Sequence, residues 1–329
     1  MPTRIACVRY LNTSVLIEGL SQLPEIALIP TVPSRIAEMV RAGEADIGLV
    51  SLIDAMDGGG KSGGGLTLLP VGMIGCDGPT LTVRVYSSTP LEQVRRIHAD
   101  TDSHTSVALA RVIMRQRHGV NVGITAFNAR EQMPVWLRSG GRGSGDRGAG
   151  AGDGHEDGCW PEAMLLIGDK VVTDSPPAVR YPYQMDLGEA WKGLTGLPFV
   201  YAVWACRTGE EGRPEVLHGA AMLDRQLRHN MTRIDWIITR RAGEHRWPLD
   251  LARRYLGELL RFAVGDRERL AAERFVSLAR EIDPGAGSAG NGGAIAGSEL
   301  RWGWAPGERV PAVGNLSFGD RALGDRVSS

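Results

Sequence analysis

Ser34–Arg–Ile–Ala–Glu–Met–Val–Arg–Ala–Gly–Glu–Ala–Asp–Ile–Gly–Leu–Val50 reads as one amphipathic helix followed at once by one buried strand. Ile36, Ala37, Met39 and Val40 recur at helical spacing and form an apolar stripe, which Gly43 terminates. Ser34, directly behind Pro33, is the expected N-cap. Asp46 opens an apolar run of strand length that closes on Ser51. Upstream, Ile5–Val8 and Ile26–Ile29 are two more short apolar strands, with a short helix over Val15–Leu20 between them. Strand, helix, strand, helix, strand within fifty residues predicts a parallel α/β sheet.

The pattern continues downstream. Strands are expected at Leu66–Gly75, Leu81–Tyr86, Ile97–Ala99, Ile124–Phe127, Ala163–Ile167, Met185–Leu187 and Phe199–Ala205. After Cys206 the chain turns helical over Glu215–Arg240, Leu249–Phe262 and Asp266–Ala279, with Leu223, Leu227, Ile234, Ile237 and Ile238 as expected core positions. Asp57–Gly65 and residues 139–158 are glycine-rich insertions, the second expected to be disordered, and 283–329 is a low-complexity tail. This layout predicts two α/β lobes crossed twice by the chain. Lobe one holds 1–80 plus 206–282 and lobe two holds 86–200, with crossings near Pro79–Val85 and Phe199–Cys206. Open α/β sheets bind ligands outside the carboxyl ends of their strands, so the expected site is a cleft between the lobes.

Composition narrows the function. A net charge of −1 over 329 residues gives no electrostatic footing for nucleic acid or an anionic membrane surface. No apolar run reaches the ~18 residues of a membrane span. Met1–Pro–Thr–Arg4 leads straight into a strand without a secretory pattern, so a cytoplasmic location is expected. Cys7, Cys76, Cys159 and Cys206 lie far apart and read as reduced, mostly buried thiols; no trio of metal ligands has the right spacing. Asp57–Gly65 lacks the ending and context of a phosphate-binding loop, and Gly141–Gly145 carries a GxSxG-like string only inside low complexity.

Polar clusters follow the expected strands directly. They are Tyr10–Ser14, Ser51, Asp77–Gly–Pro79, Gly168–Asp169, and Asp100–Thr–Asp–Ser–His–Thr–Ser106 at the mouth of a helix running to Met114. Ser103 or Thr105 can cap that helix, and spare hydroxyls beside free N–H groups suit a carboxylate. The shared chemistry is neutral (Asn, Ser, Thr and backbone N–H), which points to an anionic small molecule. Asp169 reads either as a buried, paired carboxylate or as a ligand-orienting group; Asp46 and His98 read as structural, and His104 is better placed. Arg180, Tyr181 and Tyr183 among prolines are expected to form a rigid cleft wall.

Six of these segments, in order, resemble the menaquinone-biosynthesis dehydratases and synthases of the futalosine route. They are Tyr10–Thr13 (YLNT), Ser34–Val50, Asp77–Pro79, Asp100–Leu109, Leu166–Asp169 (LIGD) and Tyr201–Arg207. The chain departs from the pattern at Cys76 and Thr82, where that family often has serine. The resemblance implies a two-lobed type II periplasmic-binding-protein-like fold used as a cytoplasmic enzyme. It implies loss of water from chorismate to give 3-enolpyruvylbenzoate, with no cofactor. A naphthoate synthase of the same route and a non-catalytic solute-binding protein are the alternatives on this fold. The residues then assigned are Asn12 as catalytic and Thr13, Ser51, Asp77, Gly78, Ser103, Thr105, Ser106 and Asp169 as substrate contacts. The oligomeric state is not set by any sequence feature.

Overall fold

A computed structural model describes residues 1–56, 64–100, 104–127, 161–282, 300–304 and 310–311. The glycine-rich stretches 57–63 and 139–158, Ser103, Cys159 and nearly all of the 283–329 tail lie outside the described residues.

Two sheets form, as expected. Sheet one contains β1 (Thr3–Cys7), β2 (Ile26–Pro30), β3 (Ile47–Ser51), β4 (Leu66–Cys76) and β10 (Phe199–Arg207), with the two-residue strands β11 (Leu260–Arg261) and β12 (Arg301–Trp302) pairing with β4. Its order is β11–β4–β10–β3–β1–β2. Sheet two contains β5 (Val83–Ser87), β6 (Arg96–Asp100), β7 (Gly123–Phe127), β8 (Ala163–Ile167) and β9 (Tyr183–Asp186), in the order β7–β6–β8–β5–β9. β1 is parallel to β2 and β3, whereas β10 runs antiparallel to both β3 and β4.

The helix α2 (Pro33–Arg41) buries Ile36, Ala37, Met39 and Val40, as its periodicity requires. It lies so close to β3 that a Cβ on Gly48 would come within 2.6 Å of both Ile36 and Val40, so only glycine fits there. Ser34 is not its cap. Val32 holds that position without a side-chain hydrogen bond, and Pro33 starts the helix with its φ already set. The region read as a helix over Val15–Leu20 is a 3-10 turn (Leu11–Thr13) running into a single α turn, α1 (Ser14–Ile17).

Strand alternation divides the core. Ala6 and Val203 face the side shared with sheet two, while Ile5, Trp204 and Cys206 face the opposite side. That opposite side is covered by α6 (Pro214–Met231), α7 (Ile234–Arg241) and α8 (Leu249–Arg253). The expected continuous helix over Glu215–Arg240 breaks between α6 and α7, where buried Asn230 donates to the carbonyls of Val15 and Glu18. The expected helix Leu249–Phe262 survives only in α8; a π turn follows over Arg254–Leu259, and the chain then joins β4 as β11. The last long helix, α9 (Asp266–Ile282), packs on α3 (His104–His118) of sheet two as well as on β10. Phe275 of α9 meets the edges of Phe199 and Trp191, so one apolar core runs through both lobes.

The chain passes between the sheets twice, over 77–82 and again over 196–198 after α5 (Leu187–Thr195). Cys76 pairs with Phe199 across β4 and β10, so the two crossings lie side by side. α5 starts against the first crossing. A Cβ on Gly188 would fall 2.1 Å from Thr80 Oγ1 and 2.6 Å from the Gly78 carbonyl. Backbone cannot yield as a side-chain tip can. Gly188→Ala is therefore expected to cost about 2 kcal/mol or more, seen as a lowered Tm and a lower denaturant midpoint. An unchanged melting curve would show that α5 can back away from the crossing.

Candidate functional site

The carboxyl ends of β1, β3 and β8 converge on a cleft between the sheets, as the strand-edge rule requires. Lobe one contributes Tyr10 and Asn12 after β1, Pro33 at the start of α2, and Ser51 at the end of β3. Lobe two contributes Thr82 and Val83 entering β5, Gly168 after β8, and Ser106 in the first turn of α3. Tyr201 and Ala202 of β10 and Tyr255 of the π turn add to the lining, with Thr80 of the first crossing and the apolar side chains of Val8, Leu49, Ile74 and Ile167. The cavity between these residues has a volume of about 70 Å³. A Cβ built on Gly168 in lobe two would lie 3.7 Å from the Tyr10 ring of lobe one.

No described lining residue carries a formal charge. Its polar groups are hydroxyls and the Asn12 amide, set among apolar side chains, and they are tied together. Asn12 Nδ2 donates to the Tyr255 hydroxyl at 3.2 Å, and Thr13 Oγ1 donates to Asn12 Oδ1 at 3.2 Å. Tyr255 Oη and Thr82 Oγ1 are 2.8 Å apart. Below them, Thr80 Oγ1 lies 2.6 Å from Tyr201 Oη and 3.1 Å from Cys76 Sγ. Burial raises the phenol pKa of both Tyr201 and Tyr255, so both keep their protons at neutral pH.

Asn12, Ser51 and Ser106 thus meet at one cleft, as the sequence suggested. The other assigned residues do different work. Thr13 is fully buried behind Asn12 and braces it. Thr105 is fully buried and its Oγ1 accepts the Ile53 N–H at 3.1 Å, which fastens α3 to lobe one. Asp77 and Gly78 are not among the lining residues. The Asp77 carboxylate is hydrogen-bonded by Lys192 at 2.5 Å, which lowers its pKa, with Arg267 at 3.3 Å adding to the effect. Asp169 also turns away from the cleft. Its Oδ1 accepts from Trp247 Nε1 and its Oδ2 contacts His245 Nδ1, each at 3.0 Å, so it is the paired carboxylate of the two readings above. His104 stands outside the lining, where it pairs with Asp54 of lobe one at 2.7 Å. Tyr181 is fully buried and donates to the Pro161 carbonyl, so it is not a cleft wall.

Two participants had no signal in the sequence. Tyr255 sits in a segment whose periodicity reads as ordinary helix. Asp186, at the end of β9, accepts the N–H groups of Thr80 and Leu81 on the first crossing and those of Gly188 and Glu189 in α5. It holds Leu81 at φ 72°, a left-handed conformation that a leucine adopts only under constraint.

A family model described as menaquinone biosynthesis matches residues 3–142 and 154–281. The chain belongs to the menaquinone-biosynthesis family. A chorismate dehydratase from Thermus thermophilus is 26% identical to this family member over 291 residues, which is 83% of this chain and 94% of the relative. Solved structures similar to it include protein AF1704 of Archaeoglobus fulgidus (TM-score 0.57, 13% identity, 84% of this chain and 96% of the other). Another is the periplasmic aliphatic sulphonate binding protein of Escherichia coli (TM-score 0.55, 13% identity, 85% and 92%). The family member therefore has a periplasmic-binding-protein-like fold, α/β and two-lobed. Among its described residues no helix is long and apolar enough to cross a membrane, and no group of three or more metal-ligating side chains occurs.

Two outcomes are expected from these contacts. Asp186→Ala leaves four backbone donors without their acceptor and should cost about 3 kcal/mol, measurable by denaturant unfolding; a loss below about 0.5 kcal/mol would mean that water takes over as acceptor. Burial pushes the Cys76 thiol up to about 11, so it stays protonated at neutral pH. Alkylation of Cys76 at pH 7.5 should appear only on unfolding, and rapid labelling of the native protein would contradict the buried setting.

Proposed function

We propose that this protein removes water from chorismate to give 3-enolpyruvylbenzoate. The observation that carries the reading is the neutral, hydroxyl-rich cleft with Asn12 at its edge, in a chain of the menaquinone-biosynthesis family that aligns with a chorismate dehydratase along most of its length. Chorismate carries two carboxylates. The α2 and α3 helices both start at the cleft, marked by Pro33 and Ser106. Helix N-termini present unpaired N–H groups and a partial positive charge, so they bind carboxylates without a cationic side chain. Ser106 and the α3 backbone take one carboxylate in this reading, while Asn12 faces the ring.

The reaction breaks the C3–H bond and the C4–O bond. The C3 proton goes to a base, the C–H electron pair completes the aromatic ring, and the C4 hydroxyl leaves and is protonated to water. Aromatisation favours the products, so positioning and one proton acceptor suffice. The titratable groups among the described lining residues are tyrosines, and burial keeps Tyr201 and Tyr255 protonated. The substrate's own enolpyruvyl carboxylate then takes the C3 proton, and Asn12 orients the ring or polarises the leaving hydroxyl.

Purified protein incubated with chorismate should produce 3-enolpyruvylbenzoate, followed by mass and by a new aromatic absorbance. Asn12→Ala should lower kcat about 100-fold while chorismate still binds. Binding without product in the wild type would favour a solute-binding protein, and turnover of a larger nucleoside-derived substrate instead would favour the naphthoate synthase. Wild-type turnover in the Asn12 variant would remove Asn12 from the chemistry.

A further inference from the structure

Tyr255 occupies a position that family resemblance and sequence periodicity both left unassigned. It lies in the π turn Arg254–Leu259, and such turns often mark functional sites because they displace one side chain from the helical register. Its ring is 1% exposed and stacks on Trp247, with centroids 4.8 Å apart and planes 15° apart. Trp247 is itself held by its indole N–H on Asp169 Oδ1 at 3.0 Å. A rigid ladder therefore runs from Asp169 through Trp247 to Tyr255 and ends in the cleft.

At the end of the ladder the hydrogen bonds have a direction. The Asn12 amide nitrogen can only donate, so the Tyr255 oxygen accepts from it. The Tyr255 hydroxyl also bonds Thr82 Oγ1 at 2.8 Å, so one phenol group ties Asn12 to Thr82, which lines the cleft. Asn12 in turn is held from both ends, by Tyr255 on the nitrogen and by Thr13 on the oxygen. Burial keeps the phenol protonated at neutral pH.

We propose that Tyr255 is a positioning residue that orients the Asn12 carboxamide and the Thr82 hydroxyl toward the ligand. The catalytic consequence rests on the chorismate reading above; the orientation does not, and the test separates the two. Tyr255→Phe removes only the hydroxyl and keeps the ring on Trp247. Protein labelled with ¹⁵N at asparagine gives the side-chain amide signal of Asn12, identified by its disappearance in Asn12→Ala. In Tyr255→Phe that signal should shift and broaden. kcat for chorismate should fall about tenfold or more, KM should change less than about threefold, and Tm should move little. Thr82→Val should lower kcat similarly, and Thr82→Ser should restore it; this pair carries the test if Tyr255→Phe does not fold. An unmoved Asn12 signal, or unchanged kcat in Tyr255→Phe and Thr82→Val, overturns the proposal. A moved Asn12 signal in a protein whose wild type never converts chorismate supports the positioning role and refutes the substrate assignment.

Discussion

Asp186 accepts hydrogen bonds from four backbone N–H groups, two on the first crossing and two at the start of α5, and the architecture depends on that one carboxylate. A two-lobed α/β protein must bring its chain from one sheet to the other and back. Each passage leaves backbone donors that no strand ladder satisfies. Here the ionised side chain at the end of β9 serves both the outgoing segment and the helix that precedes the return. Charge-assisted bonds to backbone N–H are among the stronger ones available. They suffice to hold Leu81 in a left-handed conformation, and Gly188 lets α5 approach closely enough for the arrangement to form.

The cleft inherits its character from that anchoring. Thr80 and Thr82 flank Leu81, so their hydroxyls reach Tyr201 and Tyr255 because the crossing is fixed. The charged residues nearby are occupied with one another. Lys170 is buried against Asp100, Asp77 is held by Lys192 and Arg267, and Asp169 faces His245 and Trp247. These pairs sit behind or beside the lining and fix the elements that supply it. The polar part of the lining is left to hydroxyls, the Asn12 amide and helix starts, set among apolar side chains.

Much of the fold was legible because it rests on local periodicity. The helix over 34–41, the strand after it and the strand pattern along the chain are each encoded by neighbours in sequence. Asn12, Ser51 and Ser106 were legible as cleft-lining residues because each follows or opens an element at the carboxyl edge of a sheet. Asp77, Thr105 and Asp169 stand in equally suggestive places but turn to other partners. Which way a polar side chain points depends on donors up to 190 residues away, as with Asp77 and Arg267, and local pattern carries no trace of them.

The sequence by itself determined the class of fold, the two-sheet layout and the strand edge at which the cleft lies, since these follow from hydrophobic period and strand–helix order. Tertiary structure alone decided which polar residues line that cleft. Tyr255 reaches Asn12 across 243 residues of sequence, and the turn that carries it departs from regular helix only in the folded chain, where Leu260 and Arg261 pair with β4 and Trp247 stacks beneath the ring. Its hydrogen bonds are satisfied by partners from distant segments, and that information exists only once those segments have packed.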